Sequence, residues 1–396
     1  MHVRLRNPDR SEVVTGRRRV DELLDELGIP SHTVLVIVDG QLVTGSVILD
    51  DDADVEIRPV ISGGSDSRTQ CVVCRGPAII EEPRHRSAWC GDHFGEHVMG
   101  QVRKAIDQSP GDPQNGRMFS YSDRVLLAVS GGKDSLALWD ILVRLGYHVD
   151  GVYIGLGIGG YSDRSRQQCE EFADQRALNL HVIDLPDEFG YTTPSGARAT
   201  GRSPCSVCGL SKRYLFNRAA VDLGYEVVAT GHNLDDEAAT LLGNLARWNE
   251  DFLIRQQPVL ASTGANQVRK VKPLYRLSER EIAAYCVVRG IDYVVEECPL
   301  VEGNTGIEYK QALDVLEAAT PGVKAQFLFG FLDRRQRWFG EDGPQRVTID
   351  ECDECGMPTV GTTCAFCRQQ VHITRALPIV AATAPDGASA SLSGAS

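Results

Sequence analysis

Apolar and polar positions change their period several times along this chain, and each change marks an element. Residues 123–310 repeat one alternation. VLLAV (125–129), VDGVYIGLG, NLHVIDL and YEVVATG are short apolar runs with the length of buried strands. Between them stand segments whose apolar residues recur at helical spacing: 134–145, RSRQQCEEFADQRAL, SVCGLSKRYLFNRAAVDLG and DDEAATLLGNLAR. Strand alternating with helix predicts a doubly wound parallel α/β sheet, whose ligands bind beyond the carboxyl ends of the strands. The loops after Val129, Leu156, Leu185 and Thr230 should then converge on one crevice. LSEREIAAYCVVRG adds a helix with Ser278 as N-cap and Glu281 completing a capping box. IDYVVEECP is predicted as a late strand, and EYKQALDVLEAA and residues 321–340 as helices.

The first 64 residues follow another rhythm. VRLRNP and SEVVTG suggest a strand pair, VDELLDELGI a helix, TVLVIVDGQLV a hairpin turning at Asp39-Gly40, and DVEIRPVI a last strand before Ser62-Gly63-Gly64. The predicted organisation is a small α/β domain at 1–64, a polar linker at 65–70 and a cysteine-rich module at 71–117. The sheet domain follows at 118–310, a helical extension at 311–345 and a second cysteine-rich module at 346–372. A low-complexity, disordered tail is expected at 373–396.

The chain has 396 residues, 42% of them hydrophobic, enough for more than one core. No apolar run approaches the ~20 residues of a membrane span, and MHVRLRNPDR lacks the apolar stretch of a secretory signal. A cytoplasmic protein is expected. The net charge of −13 argues against broad attraction to nucleic acid but leaves room for a local basic surface. Candidates are Arg269, Lys270 and Lys272, and the run Arg334, Arg335 and Arg337.

Twelve cysteines in a cytoplasmic chain point to metal or redox chemistry rather than disulfides. Cys71-x2-Cys74 with Cys90-x2-His93, and Cys352-x2-Cys355 with Cys364-x2-Cys367, each supply four sulfur or nitrogen ligands. Such sets suit tetrahedral, structural Zn²⁺ with no open position. Cys205, Cys208 and Cys298 are a trio without a fourth side chain, with the pair at the start of a helix whose dipole favours thiolate. Three thiolates suit an iron–sulfur cluster with one open iron, a redox pair, or a third zinc completed by another ligand. Cys169 and Cys286 lie in helical patterns and read as core residues.

Residues 125–135, VLLAVSGGKDS, run from a strand through Ser130, Gly131 and Gly132 into a helix opened by Lys133, Asp134 and Ser135. A tight turn leading into a helix N-terminus presents backbone N–H groups that hold phosphate. Lys212 stands one helical turn after Cys208, on the same face, where its cation can hold phosphate or developing charge. In ATGHNLDDEA, Asp235 and Asp236 open a helix directly after a strand and Gly231. One carboxylate can hold Mg²⁺ or orient substrate while the other caps the helix. Asp134, beside phosphate, calls for a cation between them.

SGGKDS, CSVCGLSKR, ATGHNLDDEA, Cys298 and a cysteine knuckle at each end resemble the TtuA-type tRNA 2-thiouridine synthetases. These belong to the PP-loop ATP pyrophosphatases, with a HUP-like sheet. The match covers residues 71–372. The resemblance implies that Ser130, Gly131, Gly132, Lys133, Ser135 and Gly231 bind ATP, and that Asp134, Lys212 and Asp236 are needed for activity. It implies that Cys205, Cys208 and Cys298 hold a 4Fe-4S cluster with one iron free for sulfide. It also implies ATP-dependent adenylation of the uracil O2, then displacement of AMP by that sulfide, on tRNA, by a homodimer. Position 54 of the T-loop is the expected target, with wobble position 34 as the alternative. Two rivals are a PP-loop enzyme using a nitrogen nucleophile, and a tRNA-binding partner without catalysis.

Residues 1–64 resemble the β-grasp, ubiquitin-like sulfur carriers of the ThiS and MoaD type, with Gly63-Gly64 in place of the carrier's C-terminal thiocarboxylate. In the related systems that carrier is a separate protein, charged by an E1-like activating enzyme. Here Ser65 follows Gly64. Cleavage after Gly64 would release a carrier made in cis. An uncleaved domain would serve docking or regulation, with sulfur from another source, such as a carrier in trans.

Overall fold

The computed structural model describes residues 1–6, 10–59, 70–109, 116–262, 264, 266–301, 305–339 and 349–383. The diglycine Gly63-Gly64, most of the linker and residues 384–396 lie outside them. At the N-terminus β1 (His2–Leu5) pairs antiparallel with β2 (Arg10–Val13). The short β3 (Arg18–Arg19) leads into α1 (Val20–Glu26). β4 (Val34–Val38) turns into β5 (Gln41–Val43) through Asp39 and Gly40, both at positive φ as a type I′ hairpin requires. β6 (Ile48–Leu49) pairs with β3, and β7 (Asp54–Pro59) completes a five-stranded sheet in the order β2-β1-β7-β4-β5, with β1 and β7 parallel.

β4 is buried on both faces, which explains its unbroken apolar run. Val34 and Val36 pack with Val20, Leu23 and Leu24 of α1. Leu35 and Ile37, with Leu42 of β5, point the other way and join the core of the main body beside Ile80, Phe94 and Val98. Arg280 donates to the Val34 carbonyl at 2.8 Å, and the Arg58 guanidinium lies 5.6 Å from the Tyr293 ring centroid. The N-terminal unit thus shares a core with the rest of the chain.

The first cysteine-rich module holds the hairpin β8 (Ile80–Glu82) and β9 (Ser87–Trp89), then α2 (Gly91–Asp107). The main sheet begins with β10 (Val125–Val129), α3 (Lys133–Arg144), β11 (Val149–Gly155), α4 (Gly159–Gln175) and β12 (Leu180–Asp184). The short α5 (Leu185–Phe189), α6 (Thr193–Thr200) and the long α7 (Pro204–Leu223) return the chain to β13 (Val227–Thr230). Next come α8 (Leu234–Ala246), α9 (Glu250–Arg255), β14 (Val259–Leu260), β15 (Arg269–Val271) and α10 (Glu279–Arg289). The order is β12-β11-β10-β13-β15-β14, parallel except for β14 at the edge. The connections diverge between β10 and β13, and that switch point is where such sheets bind ligands.

The predicted strand at IDYVVEECP does not form. The place beside β13 is taken by β15, and residues 291–299 run irregularly, with Val294 N–H donating to the Gly131 carbonyl at 2.9 Å. α11 (Thr305–Ala319) and α12 (Val323–Phe339) pack against α8. The second cysteine-rich module has β16 (Asp350–Glu351) and β17 (Pro358–Thr359), then α13 (Ala365–Thr383). That helix runs through residues 373–383, where a disordered tail was expected. Ile373 is fully buried against α6, close over Gly196. Among the described residues no helix is long and apolar enough to cross a membrane.

Candidate active site

The turn after β10 ends on Gly132, which caps α3 with no side chain, so the first N–H groups of α3 keep no intrahelical acceptor. Gly131 sits at φ +74°, and a Cβ there would stand 2.6 Å from the Ser165 carbonyl oxygen. Ser135 Oγ fastens the turn, donating to the Gly132 carbonyl at 3.0 Å and accepting from Ser130 N–H at 3.2 Å. Across the switch point, a Cβ on Gly231 would lie 3.0 Å from Ser135 N, so the two loops meet with no room for a side chain. An open cavity of about 310 Å³ lies here, lined by Ser130, Asp134, Ser135, Lys212, Gly231 and Asp236 among others. Val129, Leu156 and Thr230 line it too, so three of the four expected loops converge; Leu185 is buried instead in the core beneath α7.

An acid–base lattice forms one wall. Asn233, not an aspartate, caps α8, and Asp236 completes its capping box. Asn233 Nδ2 also donates to Asp134 Oδ1 at 3.0 Å. Lys310 Nζ lies 2.6 Å from Asp236 and 3.4 Å from Glu279. Lys133 Nζ lies 2.8 Å from Glu279 and 3.1 Å from Asp134, and is not among the cavity-lining groups. Its ammonium is part of the wall rather than of the pocket. Burial pushes the Asp134 carboxyl above the ordinary range; Lys133 opposes this, and the charges of Asp236 and Glu279 add to it. Burial works the same way on Asp236 and Glu279, but Lys310 and Lys133 outweigh it and hold both below the ordinary range. Of this lattice Asp134 and Asp236 line the cavity, two carboxylates suited to a divalent cation.

Asp235 is buried at 1% exposure, 2.5 Å from the Lys324 ammonium, and its other oxygen accepts Glu279 N–H at 2.8 Å. It supports the site from behind. Glu279, Lys310 and Lys324 were not singled out from the sequence. Glu279 had a local signal, next to the Ser278 cap; the two lysines had none, because their partners lie far away in the chain.

Cys205 and Cys208 open α7, and Cys205 Sγ lies 3.7 Å from the carbonyl of Leu300 in the segment carrying Cys298. Cys208 and Cys298 pack on the same core. Burial pushes the Cys208 thiol up; Lys212 opposes this, while Cys298 and Cys205 add to it. Burial likewise raises the Tyr161 hydroxyl, with Cys298 and Cys208 adding to it. Lys212 and Tyr161 both line the cavity, so the trio lies next to two side chains of its lining without lining it itself. The three sulfurs do not all fall within 4.8 Å of one another, unlike the two quartets. That wider setting disfavours a third tetrahedral zinc.

The quartets fit zinc closely. With Zn–S near ~2.3 Å, tetrahedral sulfurs stand about 3.8 Å apart. Cys74 and Cys90 are 3.8 Å apart, as are Cys355 and Cys364. His93 Nδ1 lies 3.6 Å from Cys71 Sγ and 3.1 Å from Cys90 Sγ, so His93 completes the first set. His97 instead stacks on Trp89 with its Nε2 3.6 Å from Glu281. The second quartet docks on α7, where Phe366 stacks on Tyr214 at 3.8 Å and Gln369 donates to Tyr191 and Ser211.

Most residues of the basic stretches suggested as a nucleic-acid surface are engaged elsewhere, while Arg337 is exposed. Lys272 pairs with Glu237 at 2.8 Å, and Arg269 donates to the Met118 carbonyl. Lys270 is half-buried, and Arg334 and Arg335 bind the carbonyls of Gly330 and Ile254.

A family model described as a PP-loop domain matches residues 101–310, and one described as the N-terminal LIM domain of the 2-thiouridine synthetase TtuA matches residues 70–94. The tRNA-5-methyluridine(54) 2-sulfurtransferase of Thermus thermophilus is 48% identical over 299 residues, covering 75% of this chain and 90% of that protein. Its counterpart from Pyrococcus horikoshii is 38% identical over 299 residues, 76% of this chain and 93% of that one. The solved structure of the U34-tRNA thiolase NcsA from Methanococcus maripaludis, with its 4Fe-4S cluster, covers 77% of this chain and 96% of its own. It superposes with a TM-score of 0.63 at 22% identity, a likeness of fold. About a quarter of this chain lies beyond those relatives, and neither family model reaches residues 1–69. With one family model over more than half of its length and a 48%-identical relative matched across three quarters of it, the chain belongs to the PP-loop family of TtuA-type tRNA 2-thiolation enzymes.

Proposed function

We propose that the protein replaces the 2-oxygen of 5-methyluridine at position 54 of tRNA by sulfur, using ATP. The observation that carries the reading is the position of Lys212, which lines the cavity beside the phosphate turn and stands one helical turn from Cys208. The 2-oxygen of uracil is a poor leaving group, and adenylation makes AMP leave in its place. The free N–H groups of the α3 N-terminus hold the phosphates. Asp134 and Asp236 hold Mg²⁺ against them, and Lys212 stabilises the charge that develops on the departing AMP. Cys205, Cys208 and Cys298 would hold a 4Fe-4S cluster, whose chemistry would supply the sulfide nucleophile. Two structural Zn²⁺ ions close the quartets; the second braces α7, and with it two of the three cluster thiols. Position 54 is preferred over 34 because the relatives at 48% and 38% identity are named for position 54.

The order β2-β1-β7-β4-β5 around α1 supports a β-grasp reading of residues 1–59. Its shared core with the main body supports an uncleaved docking domain over a released carrier.

The test is nucleoside mass spectrometry of tRNA incubated with anaerobically purified enzyme, ATP and sulfide. 2-Thioribothymidine is expected from the wild type. Lys212→Ala and Cys298→Ser should lower its formation by about two orders of magnitude or more. Wobble 2-thiouridine alone would move the assignment to position 34, and unchanged rates in both variants would overturn the mechanism.

A further inference from the structure

Some exposed arginines of this acidic protein are paired: Arg4 with Asp54, Arg10 with Glu12, Arg17 with Asp50, Arg166 with Glu170. Five others gather on one face. Arg198 on α6, Arg202 in the loop after it, Arg213 on α7, and Arg368 and Arg375 on α13 are all exposed. Among the described residues none of the five has a carboxylate partner; Arg202 reaches the Gln369 amide oxygen at 3.4 Å and Arg368 the Thr363 carbonyl. Arg202, Arg368 and His372 line a depression of about 320 Å³. Arg368, His372 and Arg375 line the adjoining one, of about 590 Å³, where Glu354 is the single acidic residue. The positive groups also sit against one another. Burial lowers the Arg213 guanidinium with Arg202 adding to it, and burial lowers Lys270 with Arg213 adding to it. Like charges kept together at a surface, with Glu354 the single acidic residue lining it, raise the energy of the free protein and are relieved by a polyanion.

We propose that this face is a docking track for the sugar–phosphate backbone of RNA, running from the second cysteine quartet along α13 and α6 to the mouth of the cavity. The track ends at Arg202 and Arg213, which flank the cysteine pair at the start of α7, so a bound strand is aimed at the thiols. The proposal rests on the tRNA-thiolation reading and adds where the RNA lies. Direction comes from the unpaired arginines rather than from net charge, which repels RNA over the remaining surface.

The test uses the holoenzyme and unmodified tRNA. The variant R198Q/R202Q/R375Q removes three cations and leaves Arg368, which holds the loop of the second quartet. Three lost phosphate contacts reduce the salt slope by about 3. The factor by which binding weakens between 50 and 200 mM salt should then shrink about 40-fold. KM for tRNA should rise while kcat at saturation stays within about twofold of the wild type. The matched variant R4Q/R10Q/R17Q, on the N-terminal unit, is the control. An unchanged Kd, salt slope and KM in the triple variant, with the wild type still thiolating tRNA, overturns the track and leaves the functional reading standing. A wild type that neither binds nor thiolates tRNA fails the reading itself. Melting temperature and zinc content separate loss of contacts from loss of fold.

Discussion

Replacing Lys324 by methionine tests whether the wall of the site is built from its buried ion lattice. Lys324 joins α12 to Asp235 on α8 and Asp314 on α11, and its side chain is 2% exposed. Methionine keeps the length and removes the charge. Taking away one partner of a buried pair costs about 3–5 kcal/mol, because the remaining charge is left without a counterion. Asp314 is 17% exposed and can recover water, so Asp235, at 1%, dominates the cost. Asp235 keeps the N–H of Glu279, which places the expected loss near the lower end, about 3 kcal/mol. The pH dependence has a definite sign. Burial raises Asp235 to about 6 even though Lys324 opposes it. A carboxyl raised on folding contributes stability that is complete below its unfolded value and lost as pH rises through about 6. Without Lys324 it climbs further and takes a proton more readily. The penalty of K324M should therefore be smaller at pH 5.5 than at pH 8. K324M/D235N removes the buried charge, and the amide oxygen it introduces can still accept the Glu279 N–H, so the double variant should recover more than half of the loss. Urea denaturation at the two pH values reads all three quantities. A penalty below about 1 kcal/mol, or one that does not grow toward pH 8, refutes the reasoning.

Gly131→Ala forces a Cβ to within 2.6 Å of the Ser165 oxygen at a φ of +74°, so ATP affinity measured by calorimetry should drop at least tenfold, on ~1–3 kcal/mol of strain in the turn. Intact-mass analysis of protein from its native host should give one full-length species, because release of residues 1–64 would bare Leu35, Ile37 and Leu42 and strip the Val34 carbonyl from Arg280; a fragment ending at Gly64 would reverse that conclusion.

The parts of the molecule readable from the sequence are those whose partners are close in the chain. SGGKDS carries its own turn, cap and helix start within six residues. Each cysteine-rich quartet is two knuckles whose spacing already suits one ion. The alternation of strand and helix over 123–310 fixes the parallel sheet, and the sheet fixes the switch point. Local reading failed where a distant group decides. Lys133 sits in the phosphate turn, yet Glu279, 146 residues on, draws its ammonium into the wall. IDYVVEECP is apolar enough for a strand, but β15 holds the only position beside β13 on that side, and the segment braces Gly131 instead.

Charge shows the same division more sharply. Lys270 and Lys272, or Arg334 and Arg335, attract attention because they are neighbours in sequence, and folding gives them to Glu237, to backbone carbonyls or to burial. Arg198, Arg202, Arg213, Arg368 and Arg375 are scattered over 178 positions, and α6, α7 and α13 bring them to one face whose depressions carry a single acid, Glu354. The two arrangements differ in what each charge faces after folding, not in how many charges there are. A protein of net charge −13 can hold RNA where folding gathers arginines from distant positions on one face. On that argument the surplus of acidic residues helps set specificity: it discourages RNA from settling elsewhere and favours the proposed track.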